Sequence, residues 1–132
     1  MLSQETEQMH CVVNVIIEIA RMAIHDYKNY VEKYNKILAT FPDGAVKECR
    51  LFRLSRNITR IENFFKEDYY GVFQGKGQNY IEKLRAECNY KPRERITYEQ
   101  YVSILPQEAM EEKTKAFAIP RVVSINARKG RL

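Results

Sequence analysis

The chain has 132 residues, 45% of them hydrophobic and 30% charged, with 22 Lys and Arg against 17 Asp and Glu for a formal net charge of +5. This fits a single soluble domain with a real core, and no run approaches the roughly 18 uninterrupted apolar residues that a membrane span needs. The most apolar window, Cys11–Ala23, is broken by Asn14, Glu18 and Arg21 and follows an acidic flank, which argues against a secretory signal and for a cytoplasmic protein.

A long first helix is predicted from Gln4 to Thr40, with Ser3 as its N-cap and Glu5 and Glu7 complementing its positive end. Val13, Ile16, Ile17, Ala20, Ile24, Tyr27, Val31, Tyr34 and Leu38 recur at spacings of three and four and form one apolar stripe. Phe41-Pro-Asp-Gly44 ends it, because proline restricts the residue before it and Asp-Gly favours a turn. A helix of this length reads as a spine for the others or as a dimer contact.

The second helix is expected over Ala45–Asp68, with Leu51, Leu54, Ile58, Ile61 and Phe65 on one face. Ser55–Asn57 is a weak spot where Asn57 offers a second cap. Tyr69-Tyr70-Gly71-Val-Phe73 then reads as an aromatic hinge, followed by a turn at Gly75-Lys-Gly77 and a third helix over Gln78–Asn89 that buries Ile81, Leu84 and Cys88. The first three helices are expected to form a core over residues 1–90, with 91–132 as a basic appendage packed on that core or on a partner.

In the appendage, Thr97-Tyr-Glu-Gln100 fits a capping box and predicts a short helix to about Leu105. Pro106 is placed in the first turn of another, Gln107–Ala118. The end, Pro120–Leu132, has no helical pattern, and its alternating residues suit a short extended strand. The fold class is therefore mainly α, a compact helical domain around a long N-terminal helix with a helical and extended C-terminal appendage.

No nucleophile motif, phosphate-cradling loop or paired-carboxylate motif is visible, so a non-enzyme is expected, without cofactor. Cys11, Cys49 and Cys88 are odd in number and far apart, against the close ligand pairs of zinc sites and the even counts of disulfide frameworks. They read as buried or half-buried thiols. His10 and His25 lack a metal-binding or general-base context.

The charge is uneven. Met1–Gly44 has four basic and six acidic residues, Ala45–Tyr90 nine and six, and Lys91–Leu132 nine and five, so the basic excess points the later regions toward an acidic partner. The sharpest feature is a ladder, Arg50, Arg53, Arg56 and Arg60, whose side chains project within roughly 120° of one another on a helix. Four guanidinium forks can track phosphates or clamp an acidic surface. The plainer reading pairs them with first-helix acids such as Glu18, Asp26 and Glu32. Arg121, Arg128, Lys129 and Arg131 at the end are a solubilising terminus or a second basic contact. Tyr69, Tyr70 and Phe73 are candidate aromatic contacts, while Tyr27, Tyr30 and Tyr34 read as packing, with Asp26 paired across the helices.

The Asp26-Tyr27 pair in a long helix, the Phe64-Phe65 segment with its acids, the Gly turn and Ile81-Glu-Lys-Leu-Arg85 resemble small phage and prophage proteins of Gram-positive bacteria, over roughly Ala20–Cys88. The resemblance implies a phage or mobile-element setting; taken with the small helical scaffold, the lack of catalytic motifs and the appended C-terminal region, it leads to the expectation of a protein that binds and neutralises a host factor, most concretely an anti-CRISPR-type inhibitor of a nucleic-acid-handling complex. The alternative is a small basic DNA- or RNA-binding accessory protein of phage replication, packaging or regulation. A third, structural reading is a helical homodimer or virion component joined through the first helix.

Overall fold

The computed structural model describes residues 4–114, with the side chains of Gln4 and Glu5 left aside. The protein is mainly α: α1 (Gln4–Thr40), α2 (Ala45–Glu67), α3 (Gly77–Cys88) and α4 (Tyr98–Thr114), with a short 3-10 turn at Tyr69–Gly71 and no strand among the described residues. No helix among them is long and apolar enough to cross a membrane. The expected Ser3 cap, the strand after Pro120 and the end of the Gln107–Ala118 helix lie outside the described residues.

The chain divides into two compact units, and the divisions fall inside α1 and α2. The first unit comprises residues up to Asn35 together with Arg53–Glu94. Its core is the inward stripe of α1 (Ile16, Ala20, Tyr27, Val31, Tyr34) against Ile58 and Phe65 of α2 and Ile81 and Leu84 of α3. Burying each large side chain of this kind contributes about 1.5–3 kcal/mol. Ile17 and Leu38, assigned to that stripe by spacing, are instead exposed, because they stand at its edge.

Gly77 lets α3 begin directly against α2, since a Cβ there would lie 2.1 Å from the Phe65 carbonyl oxygen. The far end of α3 closes through Asn89, which takes the left-handed conformation (φ 55°) while the Tyr90 N–H donates back to the Arg85 carbonyl at 2.8 Å. Asn35 of α1 donates its amide to the carbonyls of Cys88 and Asn89, at 3.4 and 3.2 Å, satisfying acceptors that the helix end leaves open. Tyr90 then sits edge-on to Tyr27 and Tyr34, with ring centroids 6.3 and 5.3 Å away.

The second unit comprises Lys36–Phe52 and the chain from Arg95 onward. The first turn of α2 is capped by α4: the Glu111 carboxylate accepts from the backbone N–H of Ala45 (3.1 Å) and Val46 (3.0 Å). Those bonds to the carboxylate hold its pKa below the usual range. Phe52 stacks on Tyr101 at 4.3 Å.

Two boundaries differ from those the sequence predicts. α2 runs unbroken through Ser55–Asn57, with Ser55 buried and Asn57 accepting from Arg60 instead of capping a new segment. The two short helices expected on either side of Pro106 are one helix, α4, with Pro106 inside it. The start is as read, since Thr97 and Gln100 bond reciprocally at 2.8 and 3.0 Å.

Candidate partner-binding surface

The first unit holds a polar knot in its core. Glu62 of α2, buried among Ile58 and Phe65, accepts two bonds from the Arg85 guanidinium (2.9 and 2.6 Å) and one from the Tyr27 hydroxyl (2.7 Å). One carboxylate thus ties α1, α2 and α3 together. Burial, reinforced by the Glu62 hydrogen bond and charge, holds the Tyr27 phenol far above its ordinary pKa. The bond to Glu62 likewise raises that of Arg85. Asp26, expected to pair across the helices, is exposed; its neighbour Tyr27 makes the crossing contact. Because it joins three helices through one buried carboxylate, the knot reads as a structural lock, with Arg85 partly exposed at its edge.

Beyond α2 the chain turns through a tight loop organised by Asp68. Its two carboxylate oxygens accept from the backbone N–H of Phe73 (2.6 Å) and Gly75 (2.8 Å). Asp68, Tyr70 and Gln74 all adopt positive φ (51°, 56° and 54°), a region that a bulky side chain occupies only where its surroundings enforce it. The loop holds Tyr69 and Tyr70 outward, 46% and 67% exposed. A hydrogen bond to Glu67 raises the Tyr69 pKa. Phe73 is half-buried and packs on Phe64 and Phe65 at 5.9 and 5.0 Å.

Beside these tyrosines runs an apolar groove of about 400 Å³, walled by Val12, Val15 and Ile19 of α1, Phe64 of α2 and the two tyrosines. Cys11 lies at its edge and is exposed, contrary to the buried setting expected of it, because this part of α1 has few covering residues. Cys49 is fully buried and Cys88 half-buried, with burial raising the Cys88 thiol pKa.

The arginines of the ladder stand in two settings. Arg50 pairs with Glu112 of α4 at 2.8 Å and lies over the Phe41 ring at 5.3 Å, so it helps hold the second unit together. Arg53, Arg56 and Arg60 are exposed on α2. Of the first-helix acids considered as their partners, Glu18 pairs with Arg21 on its own helix. Arg121, Arg128, Lys129 and Arg131 lie outside the described residues. No group of His, Cys, Asp or Glu among the described residues could hold a metal ion.

The knot, the Glu111 cap and the Asp68 loop all escaped the sequence reading. Only the first left a trace: Leu51, Ser55, Ile58, Glu62 and Phe65 repeat at spacings of four and three, which puts an acid inside an apolar stripe.

In comparisons with known proteins, the chain matches no family model, no curated protein and no solved structure.

Proposed function

We propose that this chain is a non-catalytic interaction protein of a phage or mobile element that binds and inhibits a host factor in the bacterial cytoplasm. In its most concrete form it is an anti-defence, anti-CRISPR-type inhibitor of a nucleic-acid-handling complex. The observation that carries the binding half of this reading is the outward presentation of Tyr69 and Tyr70 by a loop whose strained backbone Asp68 fixes in place. Tyrosines held rigidly lose little entropy on binding and supply both buried area and a polar tip. The exposed Arg53, Arg56 and Arg60 add a basic flank suited to an acidic protein surface. The phage half rests on the Asp-Tyr, Phe-Phe and Ile-Glu-Lys-Leu-Arg pattern.

A pull-down from a Gram-positive host lysate, with and without nuclease, tests the reading. A host protein retained after nuclease, and lost on Tyr70→Ala, is the expected result. The same arginines favour a second reading, a DNA- or RNA-binding accessory protein. Loss of every partner on nuclease treatment, together with salt-sensitive binding to bare duplex weakened by Arg53→Ala and Arg56→Ala, would establish that one instead.

A further inference from the structure

α4 is seated on α2 by charge more than by apolar burial. Its 17 residues bury one side chain outright, and that is Glu108. Tyr101, Ile104, Leu105 and Glu111 are half-buried. α1, by contrast, buries Ile16, Ala20, Tyr27, Val31 and Tyr34. Towards the end of α4 two adjacent carboxylates meet α2: Glu111 accepts from the Ala45 and Val46 N–H groups at 3.1 and 3.0 Å, and Glu112 accepts from Arg50 at 2.8 Å. Near its start Tyr101 stacks on Phe52 at 4.3 Å, and Arg95 lies over the same ring at 5.7 Å. Contacts at both ends set α4 antiparallel to the first two turns of α2.

α4 has little stability of its own. A helix of this length is marginal in water, and Pro106 inside it lacks the N–H that would complete the ladder. The Arg50 and Glu112 side chains are 36% and 42% exposed, so salt screens their attraction. Lys91–Arg95, which leads into α4, is exposed and carries no regular structure, whereas Tyr90 before it is fixed against Tyr27 and Tyr34. The first unit therefore keeps its own core when α4 lets go.

We propose that α4 is an electrostatic latch, held closed by Glu111 and Glu112, which releases and unwinds as one unit while α1, α3 and the rest of α2 stay folded. Such partial openings lie below the free energy of global unfolding where buried apolar contacts are few. Release uncaps the first N–H groups of α2, frees Arg50 from Glu112 and bares the Phe52 ring, a surface that the closed latch withholds. The latch uses neither the exposed tyrosines nor Arg53, Arg56 and Arg60, so it is independent of the host-factor reading.

Amide hydrogen exchange of the full chain, followed residue by residue by NMR, tests the proposal. Ala45 and Val46 are the sensitive positions, because N–H groups in a first helical turn have no partner within their own helix and here depend on Glu111 for protection. The expected result is that these two amides and those of α4 share one opening free energy, smaller than that of Ile81 and Leu84 in α3. Glu111→Gln/Glu112→Gln, which removes charge at constant shape, should speed their exchange about five-fold and leave α3 unchanged. Raising sodium chloride from about 0.05 M to about 1 M should speed the same amides in the wild type and have little effect in the double variant. Exchange of α4 no faster than that of α3 overturns the proposal, since opening is then global. Ala45 and Val46 amides that stay protected while α4 exchanges also overturn it. A wild-type α4 indifferent to salt, or a double variant that exchanges like the wild type, overturns the electrostatic hold.

Discussion

Arg85 grips the carboxylate of Glu62 with two hydrogen bonds, one to each oxygen, 2.9 Å from Nε and 2.6 Å from a terminal nitrogen, at a site where Glu62 is only 3% exposed. A buried carboxylate carries a large desolvation cost, and the fork of the guanidinium offsets it because both oxygens are met at once.

Removing one partner therefore costs more than removing both. Arg85→Leu leaves a buried carboxylate with the Tyr27 hydroxyl alone and is expected to destabilise by about 2–4 kcal/mol in urea unfolding. Arg85→Leu/Glu62→Leu is expected to be less destabilised than Arg85→Leu. If the double variant is the worse of the two, the knot contributes net stability and the desolvation argument is wrong.

Tyr27 provides a pH signature. Its phenol is raised in the folded chain, first by burial and then by Glu62, so above the ordinary tyrosine pKa of about 10 the unfolded chain releases a proton that the folded one keeps. The unfolded state then binds fewer protons, and stability falls as pH rises past that value. Tyr27→Phe should flatten this alkaline decline, as followed by thermal unfolding at a series of alkaline pH values. An equally steep decline in the variant would assign it to other groups.

Glu111 gives the opposite sign at the acid end. Its carboxyl is lowered by the Val46 and Ala45 N–H bonds, so its contribution is present above the ordinary carboxylate pKa and is lost as pH falls through the depressed value. Glu111→Ala should cost about 1 kcal/mol at neutral pH, the usual worth of a helix N-terminal cap, and less in acid. Gly44→Ala should weaken the same cap to a smaller extent, because the new Cβ would lie 3.0 Å from the Glu111 Oε1 and crowd the carboxylate where it meets the helix end.

Among the described glycines, Gly77 is the one at which an added methyl is expected to be most damaging. The added Cβ meets backbone, not a side chain that can swing aside, so α3 must shift away from α2 at a cost of at least about 1–3 kcal/mol. Denaturation midpoints of Gly77→Ala and Gly71→Ala provide the comparison, since Gly71 has open space but a φ of 67°. Gly71→Ala should cost only the modest strain of a left-handed residue.

Much of this was legible in the sequence. Phe41-Pro-Asp-Gly44 marks the end of α1 and Thr97-Gln100 the start of α4, because these local signals act on the backbone directly. Ser55–Asn57 and Pro106 misled for the converse reason: packing of Ser55 into the core and the length of helix on both sides of Pro106 outweigh a local weakness. The place of Glu62 within an apolar stripe of α2 was legible in its spacing, but nothing short of α3 lying against α2 could show that Arg85 was its partner.

The three thiols stand at three depths, with Cys11 on the surface, Cys88 partly covered and Cys49 sealed. The protein thereby carries its own clock for opening. In pulsed alkylation read by mass spectrometry, Cys11 should react at the rate of a small peptide and Cys88 more slowly. Cys49 should react only as fast as the helices around it come apart, so a ligand that slows Cys49 alone steadies the fold, and one that slows Cys11 alone sits on the outer face of α1.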